Sequence, residues 1–466
     1  MILALTATLA IVVQDHTSLR AAPNSSAAEL TAVGQGDVLE VRGERAGYLK
    51  VYNYRRERGG YLRGEAVRPL ELTESHAPEL LTVLRFLRET PGSEVLGISY
   101  GAAYLKAVPA RSLTAEPFDA IARMAERLAD EASGGAHHLA ESATHLEVAE
   151  QFGIHMRNFE RNGRMRVCYD GELFRRVLAL NAASEERAHA VLGLTRPDCI
   201  DPDLGPATRS SLDEERRALL DAIKDQDLSA LTLSRLHARR AGVWASVAYE
   251  QARRGEPAKA AVERALAELL AVRTHDLGED RRGEYLDAVL RVSAVRWAAV
   301  MPASQAGPLI LSTTPGDPGQ TCVVLDDVRY RRATPLVRRC TYGIVWLASA
   351  RAIVQGPALA LAVQPTESWR ELWVFHERAG TWKIEVLPPG GDDPEEGYVE
   401  AAGFAPGPRR LLIAREVKER GRFRRHFEEL RLDDLVLMRQ ASTPELLRDF
   451  GRWQDAAWRR DTLALH

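Results

Sequence analysis

The fold of the amino-terminal part is decided by two short segments, Val38-Leu39-Glu40-Val41-Arg42 and Tyr48-Leu49-Lys50-Val51-Tyr52. In both of them apolar and polar residues alternate with a period of two, which is typical of a half-buried β-strand. The loop between them begins with Gly43 and ends with Gly47, and glycine readily adopts the backbone angles that tight turns require. The two segments therefore predict a β-hairpin.

The sequence around this hairpin predicts further short strands. Ile11-Val12-Val13 is a β-branched run, and the glycines of the segment 34–37 indicate a tight turn before the hairpin. Gly59 to Arg63 and Ala66 to Arg68 read as two more strands after it. Because no helical period separates these strands, the sequence predicts a small β-barrel over residues 11–71.

Four motifs in this stretch resemble those of the bacterial SH3-like (SH3b) domain. Leu19-Arg20-Ala21-Ala22-Pro23 resembles its leucine-arginine-proline loop, and residues 36–41 resemble its glycine-aspartate turn with the following strand. Tyr48-Leu49-Lys50-Val51 and Gly60-Tyr61-Leu62 are similar to its tryptophan-x-lysine-valine and glycine-tryptophan-valine motifs, with tyrosine in place of each tryptophan. The resemblance covers about an eighth of the 466 residues.

The resemblance implies a cell-envelope or extracellular module that binds peptidoglycan or a protein segment. Tyrosine rings with hydroxyl tips suit sugar faces or extended peptides, and arginines would add charge for carboxylates on such a ligand. The candidate ligand-binding residues are Tyr48, Tyr52, Tyr54, Tyr61, Arg55, Arg56 and Arg58. In the alternative interpretation, half of these tyrosines fill the barrel core and the arginines are solvated side chains of a loop.

Composition limits the class of protein. The chain has 466 residues, of which 45% are hydrophobic and 27% charged, and this favours a soluble protein of several domains. A net charge of −3 gives no reason to expect nucleic acid or an anionic membrane as the main partner. No apolar run is long enough to span a bilayer. The sequence indicates no cofactor and does not determine the oligomeric state.

The first ten residues, Met1 to Ala10, are apolar but too short to span a membrane. They lack a basic start, whereas Thr8-Leu9-Ala10 is similar to a small-residue cleavage site. One hypothesis is the remnant of a secretory signal peptide, which the SH3b resemblance favours. The alternative is a first barrel strand that begins early.

Four cysteines occur as two local pairs along the chain. Cys168 and Cys199 lie in the middle region, while Cys322 and Cys340 lie near the start of the last region. An even number divided in this way predicts the disulfides Cys168–Cys199 and Cys322–Cys340, formed in an oxidising compartment. The expected location is therefore periplasmic or secreted. The alternative is four buried thiols in a cytosolic protein.

Beyond the barrel the hydrophobic period changes twice. Residues 75–300 have mainly helical spacing, interrupted by a β-hairpin near residues 154–169. Residues 307–440 alternate again and predict an antiparallel β-domain, with residues 372–375 pairing with 382–386 and residues 411–414 with 423–432. Residues 441–466 predict one C-terminal helix with an apolar stripe of Leu446, Phe450, Trp453 and Ala457. The fold class is a multidomain α+β protein.

Known catalytic patterns find little support in the sequence. Gly97-Ile98-Ser99-Tyr100-Gly101 matches the Gly-x-Ser-x-Gly nucleophile elbow, but the strand-to-helix context that strains this turn is missing. The histidines at 137, 138 and 145 with Glu141 could place two metal ligands one turn apart, yet no second ligand cluster accompanies them. No catalytic or metal-binding residue is therefore assigned.

Two classes of function remain. The first is a non-catalytic envelope protein in which an SH3b module binds or scaffolds. The second is an enzyme that acts on peptidoglycan with scattered catalytic residues. Because no compact catalytic constellation is present, the sequence favours the first class.

Overall fold

The computed structural model describes residues 8–161, 163–279, 281–300, 308–329, 334–352, 358–390, 396–407, 409–419 and 422–462. The chain forms two compact units. The first comprises Met1–Gly205 and Ile223–Leu228, and the second comprises Pro206–Ala222 and Ser229–His466. An amino-terminal antiparallel sheet, a central helical region, a carboxy-terminal sheet domain and terminal helices confirm the predicted α+β fold class.

The first unit begins with a seven-stranded antiparallel sheet in the order β3-β2-β6-β5-β4-β1-β7. Its strands are β1 (Thr8–Val12), β2 (Thr17–Arg20), β3 (Glu29–Val33), β4 (Val38–Arg45), β5 (Tyr48–Asn53), β6 (Arg58–Arg63) and β7 (Val67–Leu70). The predicted hairpin of β4 and β5 is confirmed, with Val41 opposite Val51. Residues 8–10 of the proposed signal remnant belong to β1, which pairs with β4 and β7, and residues 1–7 lie outside the described residues.

One core cluster joins all seven strands. Val33 lies on the edge strand β3 and Val67 lies on the opposite edge strand β7, yet both belong to the cluster that contains Val51 and Leu62. The tight turn of residues 34–37, in which the Asp37 amide donates to the Gly34 carbonyl, joins β3 to β4 although they lie four places apart in the sheet order, so the sheet curves around this apolar face. The other face of the curved sheet points away from this core.

Helices and one hairpin complete the described part of the first unit. They are α1 (Ala77–Arg88), α2 (Glu94–Ala107), α3 (Glu116–Ala132), α4 (Ala136–Gln151), β8 (Met156–Arg161), β9 (Arg164–Tyr169), α5 (Glu172–Ala179) and α6 (Ser184–Leu194). The hairpin of β8 and β9 confirms the one predicted near residues 154–169. Ile11 of β1 packs with Leu87 of α1 and Leu96 of α2, which buries one end of the sheet.

Both predicted disulfides are confirmed. Cys168 on β9 bonds to Cys199, which ends the short 3-10 turn Pro197–Cys199. Cys322 and Cys340 are direct partners on two neighbouring antiparallel strands of the second unit. Each bond is therefore local to one of the two units.

Removing the bond between Cys168 and Cys199 is expected to destabilise the first unit by about 3–4 kcal/mol, because it closes a loop of 31 residues in the unfolded chain. The double variant Cys168→Ala/Cys199→Ala tests this by far-UV circular dichroism during urea unfolding. Tryptophan fluorescence is the internal control, since all eight tryptophans lie in the second unit. A loss below about 1 kcal/mol would contradict the loop-closure argument.

The second unit joins four longer helices to two sheets. The helices are α7 (Pro206–Asp221), α8 (Ala230–Arg253), α9 (Lys259–Ala271) and α10 (Arg282–Val295). The first sheet contains β10 (Leu309–Pro315), β11 (Thr321–Asp327) and β12 (Val337–Thr341). The second sheet contains β13 (Ile344–Ala352), β14 (Ala358–Thr366), β15 (Trp369–Arg378), β16 (Thr381–Leu387), β17 (Gly397–Ala405), β18 (Arg410–Glu419), β19 (Arg422–Arg431) and β20 (Leu437–Ala441). Two short helices, α11 (Arg448–Trp453) and α12 (Ala456–Asp461), follow.

The larger sheet consists of two antiparallel groups. Strands β13 to β16 form one group and β17 to β20 form the other, and they meet where β15 runs parallel to β17 at Trp369 and Arg370. The predicted pair of residues 372–375 with 382–386 is confirmed by the partners Phe375 and Ile384. The predicted pair of residues 411–414 with 423–432 is confirmed by the partners Leu411 and Leu430.

The end of the chain forms two short helices where the sequence predicts one. The chain is extended at Gln454, and the Asp455 amide donates a hydrogen bond to the Ala402 carbonyl of β17. The Asp455 carboxylate then accepts from the first amides of α12 and caps that helix. The predicted apolar stripe is divided accordingly, because Phe450 is buried and Leu446 is 72% exposed.

Two glutamates of the second unit, the buried Glu400 and the half-buried Glu367, are surrounded by arginines. Glu400 of β17 accepts hydrogen bonds from Arg296, which follows α10, and from Arg370 of β15. Glu367 contacts Arg209 of α7 and Arg291 of α10 in the same way. The helices and the larger sheet of this unit are therefore joined by buried and half-buried ion pairs as well as by apolar contacts.

Candidate ligand-binding face

The predicted tyrosines share the outer face of the amino-terminal sheet. Tyr48 and Tyr52 alternate on β5 with the core residue Val51, and Tyr61 alternates on β6 with Leu62. Successive side chains of a strand point to opposite faces, so the three rings lie on the side away from the core. Tyr54 follows β5 with the same parity and is 64% exposed. None of these four tyrosines is buried.

Four side chains form a defined group at one end of this face. The Arg42 guanidinium carbon lies 4.1 Å from the centre of the Tyr52 ring, and the Tyr54 ring meets the Tyr52 ring edge-on at 5.1 Å. Glu40 Oε2 accepts hydrogen bonds from Arg42 Nε at 2.6 Å and from the Tyr54 hydroxyl at 3.0 Å. We call Glu40, Arg42, Tyr52 and Tyr54 the Tyr54 cluster.

The Tyr54 cluster contains a compensated pair of charges. The hydrogen bond from Arg42 holds the pKa of Glu40 below its usual value, and the Tyr54 hydroxyl acts in the same direction. Glu40 is therefore ionised at neutral pH and balances the charge of Arg42. Because the carboxylate holds both neighbours, the exposed Tyr54 ring is fixed before any ligand arrives.

A second aromatic group lies at the other end of the same face. Tyr48 is the cross-strand partner of Arg63, and Tyr61 is the partner of Lys50. The Tyr48 hydroxyl is the main cause of the raised pKa of Arg63. Tyr48 and Tyr52 are four residues apart on one strand, which separates them by roughly 13 Å. The face thus offers two groups of rings along one direction.

Two of the three predicted arginines attach the sheet to α4 within the first unit. Arg55 donates a hydrogen bond to the Glu147 carbonyl at 2.8 Å, and Arg56 lies 3.6 Å from the Glu147 carboxylate. The buried Asn53 side chain accepts from both arginine amides and fixes this turn. Arg58, at the start of β6, is exposed. Arg55 and Arg56 therefore have partners inside the protein.

The Gly-x-Ser-x-Gly segment lies in the middle of α2 and not at a strand-to-helix turn. Ser99 is fully buried, and its hydroxyl donates a hydrogen bond to the Val95 carbonyl. A side chain at Gly97 would collide with Met124, and one at Gly101 would collide with Ile121. The two glycines thus allow α2 to pack closely against α3, which accounts for the motif without catalysis.

The histidines considered as metal ligands lie on α4. His137 pairs with the exposed Glu141 at 3.1 Å, whereas His145 Nε2 lies 2.9 Å from Asp15 Oδ1. Within the described ranges, no group of three or more histidine, cysteine or acidic side chains is arranged to hold a metal ion.

Glu40 and Arg42 are site residues that our sequence interpretation missed. The signal was present, because β4 alternates core residues Leu39 and Val41 with these two charges. Pairing β4 with β5 places Glu40 directly opposite Tyr52. Strand alternation combined with hairpin register therefore identifies both residues.

No protein-family model, curated protein or solved structure matches this chain. In the part of the chain that the structure describes, none of the helices has the length and apolar character needed to cross a membrane. The candidate site is therefore defined by the contacts of the chain's own residues.

Proposed function

We propose that this protein is a non-catalytic binding or scaffolding protein of the cell envelope. Its amino-terminal sheet acts as an SH3b-like module that recognises peptidoglycan. The observation that carries the proposal is the outer face of β5 and β6, where Tyr48, Tyr52 and Tyr61 share one side with the exposed Tyr54. Rings with polar tips on a preformed sheet suit ligands that are partly apolar and partly hydroxylated.

Two further features support the envelope assignment. Both disulfides close within their own units, and bonds of this kind persist in oxidising compartments such as the periplasm or the extracellular space. The SH3b-like motifs lie within a curved antiparallel sheet, and this arrangement supports the proposal of an SH3b-like domain. On this proposal the protein is periplasmic or secreted.

A sedimentation assay with purified peptidoglycan sacculi tests the proposed function on the full-length chain. We expect the wild-type protein to sediment with the sacculi and Tyr54→Ala and Tyr48→Ala to bind about tenfold more weakly, because each variant removes one aromatic contact. Tyr342→Ala is the matched control, since Tyr342 is also 64% exposed but lies in the second unit.

The same assay distinguishes the alternatives. Wild-type protein that stays in the supernatant would contradict the peptidoglycan ligand, and an envelope-protein segment would then be the next candidate for the face. Soluble muropeptides released during the incubation would support the alternative of a peptidoglycan-acting enzyme. If Tyr48→Ala and Tyr54→Ala bound sacculi as tightly as Tyr342→Ala and the wild type, the contact would lie away from these two tyrosines of the amino-terminal sheet.

A further inference from the structure

We infer that the Tyr54 cluster is a subsite for one neutral pyranose ring of a glycan strand. This inference rests on the proposed function and specifies which part of the peptidoglycan the face contacts. The sugar would stack on the Tyr54 ring and share neighbouring hydroxyl groups between Glu40 and Arg42.

The stacking surface is the Tyr54 ring because the other ring of the cluster, Tyr52, is already covered by neighbouring protein atoms. Arg42 covers the Tyr52 ring at 4.1 Å, and Tyr52 also lies across β6, where a side chain at Gly59 would come within 3.3 Å of it. Tyr54 stands at 79° to Tyr52 and is 64% exposed. A ring that is open to solvent and held by its hydroxyl offers a rigid apolar surface at little entropic cost.

The polar atoms beside this ring match a pair of hydroxyl groups. Glu40 uses only Oε2 in its two hydrogen bonds, and Arg42 donates to that oxygen through Nε. Among the described residues, Glu40 Oε1 has no hydrogen-bond partner, whereas the Arg42 guanidinium also interacts with the Tyr54 side chain and keeps further N–H groups beyond that contact. A sugar hydroxyl both donates and accepts, so one hydroxyl can donate to Glu40 while its neighbour accepts from Arg42.

The charge of the cluster favours a neutral ligand. Glu40 and Arg42 form an ion pair at 2.6 Å, and their charges compensate each other. A carboxylate or a cation on the ligand would therefore find no unpaired opposite charge there. Arg55 follows Tyr54 in the sequence and is one of the arginines predicted to bind a carboxylate of the ligand. It contacts Glu147 and Glu150 of α4 instead. Both observations favour the sugar ring over the acidic stem peptide of the cell wall.

Isothermal titration of the full-length protein with a β-1,4-linked N-acetylglucosamine tetramer tests the subsite. We expect a dissociation constant on the order of 0.1–1 mM for the wild type and at least roughly tenfold weaker binding by Tyr54→Ala. Tyr54→Phe keeps the ring but loses the bond to Glu40, so a loss of about two- to fivefold is expected. Glu40→Gln is expected to weaken binding and Tyr342→Ala to leave it unchanged.

The sacculus assay and the tetramer titration can give different results, and each combination has its own interpretation. Sacculi that bind while the wild type ignores the tetramer would overturn the subsite and leave the proposed function intact. A tetramer that binds while sacculi do not would support the subsite and contradict peptidoglycan as the ligand. Equal affinity of wild type and Tyr54→Ala for the tetramer would overturn the subsite. Tighter binding of maltotetraose than of the N-acetylglucosamine tetramer would support a sugar subsite and contradict peptidoglycan as its source.

Discussion

Replacing Glu400 by glutamine is expected to lower the free energy of unfolding of the second unit by about 3–5 kcal/mol. Glu400 is 3% exposed and accepts hydrogen bonds from Arg296, Arg370 and the Trp458 indole. Glutamine keeps the shape of the side chain but leaves two buried guanidinium groups without a counter-charge. An unpaired buried charge costs much more than an intact pair contributes, which is why the expected loss is large.

The pKa of Glu400 gives the same cluster a dependence on pH. Burial alone would raise this pKa, but Arg296 and Arg370 outweigh burial and lower it to about 2 from 4.5. A carboxyl with a lowered folded-state pKa contributes stability above its unfolded pKa and loses it as the pH falls. We therefore expect about 3 kcal/mol of stability to disappear between pH 4.5 and pH 2 in the wild type, and not in Glu400→Gln.

Tryptophan fluorescence during urea unfolding measures this effect directly, because all eight tryptophans lie in the second unit. Asp433→Asn is the control variant. Its carboxylate pairs with Arg409 at 3.0 Å, but both side chains are about half exposed, so a change of about 0–1 kcal/mol is expected. Similar losses in the two variants would contradict the argument from burial.

The local elements of this fold follow from the sequence because their causes are local. The β4–β5 hairpin follows from alternation and glycine turns, and the two disulfides follow from an even number of cysteines in local pairs. The break before α12 was missed. It depends on contact between Asp455 and Ala402, which lie 53 positions apart along the chain, and no local pattern encodes that contact.

Long-range pairing also explains what was missed among the charged residues. Arg296 and Glu400 lie 104 residues apart, so the sequence shows two ordinary charges and gives no sign that they are buried together. In the candidate site, Tyr48 and Tyr61 were found from motif resemblance and Tyr52 and Tyr54 as rings between those motifs. Glu40 and Arg42 required the register of β4 against β5. The hydrogen bond from Arg55 to Glu147 of α4 joins residues that are 92 positions apart, so it could not be predicted from the loop alone.

Replacing Glu416 by glutamine is expected to stabilise the second unit at alkaline pH. Glu416 of β18 is 1% exposed and accepts a hydrogen bond from the Tyr398 hydroxyl at 2.6 Å. Burial raises the pKa of Glu416 to about 8, and neither the bond from Tyr398 nor the nearby Arg425 offsets it. Glu416 and Glu400 are thus buried glutamates of one sheet whose pKa values shift in opposite directions, because Glu400 has two arginine partners.

The sign of the pH dependence follows from proton binding. The unfolded carboxyl ionises near 4.5, whereas the folded one keeps its proton to about pH 8, so the folded state binds more protons between these values. Stability supplied by the neutral form is complete below pH 4.5 and is lost as the pH rises through 8. The full difference is on the order of 5 kcal/mol. Glutamine does not ionise, so the variant does not lose stability through a buried charge at position 416 as the pH rises.

Urea unfolding followed by tryptophan fluorescence at pH 5, 6.5 and 8.5 measures the difference between Glu416→Gln and wild type. It is expected to be below about 1 kcal/mol at pH 5 and to grow in favour of the variant with each pH step. Glu377→Gln, an exposed glutamate of β15, is the control and should show no such growth. A difference that stays constant from pH 5 to 8.5 would mean that folded and unfolded Glu416 titrate alike, and that the buried carboxyl is already ionised at neutral pH.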